Sequence, residues 1–132
     1  MDDALPELVD LIKEKAANRL ALIISDGEVY LNSPGSANHI YVLEIATSNA
    51  AGGRGAGYGS RDVSKVHRFQ FDNGAWRKRT EISDKSLLDG FTPPHYVSLL
   101  PLMLNDGSEV VVYGAVDPAL IVEYDQKFGL KP

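Results

Sequence analysis

The sequence predicts an α+β domain: a mainly antiparallel sheet of about seven strands, hairpin-rich and able to curl, with a helix at each end. Three observations carry this. Leu5, Leu8, Val9, Ile12 and Ala16 recur at helical spacing near the start. Asp26-Gly27, Asn73-Gly74 and Asp106-Gly107 each separate β-branched or aromatic runs, as two-residue hairpin turns do. Near the end, Asp117-Pro118 makes a cap followed by proline, and Gly129 is a natural stop. With 132 residues, 44% of them apolar and 23% charged, the chain fits one domain, 1–132, large enough for a core without metal or disulfides.

In chain order, residues 5–19 are expected to form the first helix. Pro6 suits its first turn, and Glu7 suits the positive end of its dipole. Residues 20–25 and 28–31 read as a hairpin, and 39–47 as a third strand. The segment 49–61 contains Gly52, Gly53, Gly55, Gly57 and Gly59 and is expected to be a mobile loop. Residues 63–71 and 75–82 form the central hairpin, 83–89 a helical turn, and 96–104 with 108–115 a late hairpin. The late hairpin is apolar on both sides of its strands (Leu99, Leu100, Leu102, Met103; Val110, Val111, Val112). It therefore needs a second cover, either from a helix and a curled sheet or from another copy of the chain. A homodimer is thus one expectation.

The net charge of −5 is unevenly spread. Residues 1–53 and 80–132 each carry an excess of five acidic groups, whereas residues 54–79 hold seven cations against Asp62 and Asp72. With Asn73-Gly74 as the turn, Phe71 faces Trp76, Phe69 faces Lys78 and His67 faces Thr80 on one side. On the other, Gln70 faces Arg77, Arg68 faces Arg79 and Val66 faces Glu81. Clustered arginines suit carboxylate or phosphate partners because the guanidinium fork makes two parallel hydrogen bonds.

The expected function is therefore a small non-enzymatic binding module. Arg54, Tyr58, Arg61, Arg68, Arg77 and Arg79 are its partner-binding candidates. An acidic protein surface is the first-choice partner. RNA or single-stranded DNA is the second, because the acidic flanks would repel a long polyanion. The competing explanation is that nearby carboxylates neutralise these arginines within the fold. An alternative function is a small-ligand binder or hydrolase-like enzyme with a cleft beside the Gly-rich loop, using Asp62, His95 or Arg54.

The glycines match neither a Walker loop, since Tyr58-Gly59 stand where Lys-Ser/Thr belongs, nor a dinucleotide fingerprint. There is no Cys, and His39, His67 and His95 show no metal-ligand spacing, so no cofactor and no metal are expected. No apolar run approaches the roughly 20 residues of a spanning helix, and the acidic start differs from a secretory signal, which together suggest a cytoplasmic protein with no membrane role. If the Gly-rich segment is mobile, limited proteolysis with trypsin will cut first at Arg54 or Arg61. Protection of both sites in the free protein would mean that the segment is packed.

Overall fold

A computed structural model describes residues 3–32, 37–46 and 62–130. Helix α1 spans Leu5–Glu14, followed by a 3-10 turn at Ala16–Asn18. Strands β1 (Ala21–Ser25), β2 (His39–Ile45), β3 (Val63–Asp72) and β4 (Ala75–Ile82) come next. A short helix α2 (Lys85–Leu88), strands β5 (Ser98–Met103) and β6 (Glu109–Val116), and helix α3 (Pro118–Lys127) complete the chain.

The fold is α+β, with an open six-stranded sheet in the order β4-β3-β2-β1-β6-β5. Every neighbouring pair is antiparallel except β1 and β6, which run parallel. That pairing joins residues about 90 positions apart, and no turn signal announces it.

Two elements differ from expectation. Residues 28–31 are not a hairpin strand, so the described strands number six. Asp26 does not sit in a tight turn; its Oδ1 accepts from the backbone N–H groups of Asn38 and His39 at 2.9 and 3.1 Å. The chain instead runs along the outer edge of β5, where Leu31 donates to the Met103 carbonyl and Met103 donates to that of Val29. The first helix also stops short of residue 19. The Asn18 amide donates to the carbonyls of Lys13 and Glu14, closing α1, and Arg19 turns the chain at φ 65°.

The hairpin and cap chemistry acts as predicted. Asn73 and Gly74 both take positive φ, 52° and 77°, as a tight hairpin turn requires. The Asp117 carboxylate accepts from the N–H groups of Ala119 and Leu120 and so starts α3.

Strand alternation divides the core between the two faces of the sheet. On the first face, Ile23, Ile40, Val42, Phe69, Trp76, Leu102 and Val112 pack with Leu8 and Ile12 of α1. On the second, Ile24, Tyr41, Leu43, Val66 and Ile82 pack with Leu88, Phe91 and the α3 residues Ile121 and Tyr124. Helix α1 thus packs on the first face, and α2 and α3 pack on part of the second.

Gly114 marks the tightest point of the parallel pairing. A β-carbon there would lie 1.9 Å from the Ile23 carbonyl oxygen, a backbone atom that cannot rotate aside. Gly114→Ala is expected to cost about 3 kcal/mol, at the upper end of overpacking effects. Urea denaturation of parent and variant measures it, and equal midpoints would show that β6 shifts freely against β1.

Candidate functional site

The central hairpin pairs as expected from its turn as far as Phe69 with Lys78, and then a β-bulge intervenes. Arg79 is the extra residue. Beyond it Arg68 faces Thr80, His67 faces Glu81 and Val66 faces Ile82, correcting the expected Arg68–Arg79 and Val66–Glu81 pairs. The bulge has two physical consequences. It removes a like-charge cross-strand pair, and it turns Ile82 into the core of the second face.

Arg68 is not a surface arginine. It is 2% exposed, beneath α3. Its Nε and Nη2 donate to Oδ1 and Oδ2 of Asp125 at 2.9 and 2.7 Å, and Nη1 donates to the Phe69 carbonyl at 3.0 Å. The Tyr41 hydroxyl donates to Asp125 Oδ1 at 2.5 Å, and the guanidinium lies 5.3 Å from the centre of the Tyr41 ring. Arg68 is thus withdrawn from the expected partner-binding set. A signal existed in the sequence: Asp125 follows Ile121 by four residues on the buried stripe of α3, where an acid needs a cation.

Two of the other basic groups on the hairpin also meet carboxylates. Lys65 pairs with Glu81 at 3.4 Å, and Lys78 bonds both Glu7 and Glu81. Arg79 donates to Gln70 Oε1, and Arg77 is half-buried on the edge strand. Arg54, Tyr58 and Arg61, with the expected mobile loop, lie outside the described residues.

His67 is the centre of a second polar cluster, on the first face near α1. The ring is 3% exposed. Its Nε2 lies 2.6 Å from Glu44 Oε2, and its Nδ1 lies 3.6 Å from Glu81 Oε1. Glu7, from α1, brings a third carboxylate, so that ligand atoms of Glu7, His67 and Glu81 all fall within 4.8 Å of one another. Sequence spacing concealed this grouping because it joins α1, β3 and β4, and because the unshifted register put Thr80 opposite His67.

The remaining candidates are dispersed. His39 Nδ1 bonds Asp26 Oδ2 at 2.6 Å, a pair that sits where β1 ends and β2 begins. Burial would raise the Asp26 carboxyl, but the bonds from His39 and the backbone hold it below its ordinary value. His95 is exposed in the loop before β5. Asp62 lines a hollow of about 150 Å³ with Lys85, Asp89, Phe91 and Thr92; His95 is not part of it. A second hollow of about 180 Å³ lies between residues 27–30 and β5 and is mainly apolar. Both are smaller than the roughly 300–1,000 Å³ of a small-molecule site.

Part of one sheet face is apolar and exposed. On the second face β5 and β6 present Leu99, Pro101, Met103, Val111 and Tyr113, and Leu99 and Val111 are 57% and 51% exposed. Helix α3 packs over β1 and β2, and the cluster beneath it takes in Ala115 of β6 but none of these five side chains. Arg19 lies over the Tyr113 ring, 5.3 Å from its centre, while Glu109 stands exposed at the opposite end of the same row. Comparison of the chain with protein-family models, curated proteins and solved structures finds no match. No described helix is long and apolar enough to cross a membrane.

The buried pair under α3 makes a direct pH prediction. Burial raises the Asp125 carboxyl, but the Arg68 guanidinium and the Tyr41 hydroxyl outweigh it and hold the group below its ordinary 3.8. A folded pKa below the unfolded one contributes stability that is complete above 3.8 and is lost as pH falls through the folded value. Asp125→Asn strands a buried guanidinium and is expected to cost about 3–5 kcal/mol at pH 7. Its stability should then fall less steeply than the parent's below pH 4, as urea midpoints across pH would record. Parallel acid limbs would place the acid sensitivity elsewhere.

Proposed function

We propose that the protein is a small binding module that acts as a self-associating pair, joined through the uncovered face of β5 and β6. The observation that carries this reading is the row Leu99, Pro101, Met103, Val111 and Tyr113, apolar and left without a helix on the face that α3 otherwise covers. Fully burying a Leu or Val contributes roughly 1.5–3 kcal/mol, so covering Leu99 and Val111 is a sizeable drive.

Charge placement favours a second copy as the occupant. The row has Arg19 at the Tyr113 end and Glu109 at the other. A two-fold axis near Val111 lays one row antiparallel on the other, setting each Arg19 against the partner copy's Glu109. That is the self-complementarity a two-fold interface requires. Pairing through the open strand edge is disfavoured. Met103 directs its backbone groups outward to residues 29–31, so by alternation Pro101 also faces outward, and it has no N–H to offer.

The acidic-partner reading retains less support. With Arg68 buried and Lys65 and Lys78 paired, it rests on Arg77 and Arg79 with Arg54, Tyr58 and Arg61. The apolar row makes the stronger claim.

Light scattering on a dilution series of the full chain tests the pair. The expected result is a mass near twice 14.4 kDa at high concentration that falls on dilution. Arg19→Glu or Glu109→Arg alone should shift the midpoint to at least tenfold higher concentration, and the double exchange should restore it. A particle of 14.4 kDa at every soluble concentration overturns the proposal, as does dimerisation indifferent to Leu99→Glu.

A further inference from the structure

We propose that His67 Nδ1, Glu81 and Glu7 form a binding site for a divalent transition-metal ion of the zinc class, with Glu44 holding the histidine ring in place. The argument begins with the proton on that ring. A carboxylate only accepts hydrogen bonds, so the 2.6 Å contact between Nε2 and Glu44 Oε2 requires the N–H to be on Nε2. In the neutral ring Nδ1 is then a bare lone pair. It is buried, has no hydrogen-bond partner among the described residues, and faces the Glu81 carboxylate. With the ring neutral, a cation between Nδ1 and Glu81 would satisfy both acceptors.

The separation suits a metal. Nδ1 and Glu81 Oε1 are 3.6 Å apart, too far for a hydrogen bond. Two ligands at about 2.1 Å from one tetrahedral ion stand about 3.4 Å from each other. Glu7 supplies the third ligand atom within the same 4.8 Å group, and solvent can reach the fourth position because Glu7 and Glu81 are both 40–50% exposed. One imidazole with carboxylates is a donor set that zinc-class ions accept. Glu44 adds the outer feature such sites use, a carboxylate that takes the other ring N–H and fixes the tautomer.

Lys78 shows that positive charge belongs here. Its ammonium bonds both Glu7 and Glu81, and its charge lies 5.8 Å from the centre of the Phe69 ring. It is therefore a built-in competitor, holding the two carboxylates together until an ion replaces it. Its long stem lets the head swing out to solvent. The site owes its assembly to the bulge in β4, without which Glu81 would point to the other face.

Isothermal titration of the full chain with zinc chloride in a non-chelating buffer tests the site. The expected result is one ion per chain, at least tenfold weaker binding in Glu81→Gln, and 10–100-fold weaker binding in Glu44→Gln. Lys78→Met should bind at least tenfold more tightly than the parent, an effect that general surface carboxylates would not produce. Cobalt absorption, lost in His67→Asn, identifies the nitrogen ligand, with circular dichroism confirming that each variant is folded. Absence of zinc binding in both the parent and Lys78→Met overturns the proposal, as does binding that Glu81→Gln and Lys78→Met leave unchanged.

Discussion

The contact on which the structure most depends is the forked bond between Arg68 and Asp125. It ties the last helix to the middle of the sheet, across 57 residues of sequence, inside a cluster that is otherwise aliphatic and aromatic. A buried ion pair contributes little net stability, since desolvation offsets much of the attraction. Its value lies in what it forbids. With Asp125 on Arg68 and Tyr41, α3 has one rotation about its axis and one position over β1 and β2. Slipping it by a turn would leave a guanidinium, a carboxylate and a phenol without partners in an apolar medium. The pair also fixes Tyr41, which packs edge-on against Tyr124, and Tyr124 in turn packs against Phe91. A single acidic residue thereby sets the register of a whole aromatic layer.

The charge distribution acquires a different meaning in this light. A basic stretch between two acidic flanks resembles an advertisement for an outside partner, yet the flanks fold back onto it. Glu7 and Glu44 come from the first flank, and Glu81 and Asp125 from the second. Antiparallel neighbours and covering helices place segments of opposite sign against one another. The imbalance read along the chain is cancelled in space at Lys65, Arg68 and Lys78, and part of that pairing lies in the cluster around His67.

Local chemistry was legible in the sequence, and long-range chemistry was not. The Asn73-Gly74 turn, the Asp117 cap and the helical stripes each depend on residues within a few positions, and each forms as read. The bulge at Arg79 could not be seen, because its cause lies off the hairpin: Ile82 must reach the core beneath Leu88 and Phe91. A register counted outward from the turn was right until that demand overrode it. The same limit hid the grouping of His67 with Glu7, which needs α1 to cross β3 and β4. It also hid the parallel placement of β6 beside β1. The expected strand at 28–31 failed for a subtler reason. Its residues do run along β5 as extended chain, but Asp26 spends its side chain on Asn38 and His39 instead of tightening a two-residue turn.

Simple dimensions explain why the apolar row on β5 and β6 is left open. Six strands at about 4.8 Å spacing make a sheet nearly 25 Å across, whereas a helix about 10 Å wide covers roughly two of them. On the first face α1, its 3-10 extension and residues 29–31 spread the cover from β4 to β5. On the second face α3 takes β1 and β2, and Leu88 with Phe91 extends the cover over β3 and β4. Of β5 and β6, the cluster on this face takes in Ala115, and residues 27–30 border Pro101 and Met103, while Leu99 and Val111 stay exposed. A sequence adapted to solvent at that place would alternate with polar residues, and β5 carries Leu99, Pro101 and Met103 there instead. The mismatch between the width of the sheet and the width of its helices leaves Leu99 and Val111 exposed at the β5–β6 end of the second face.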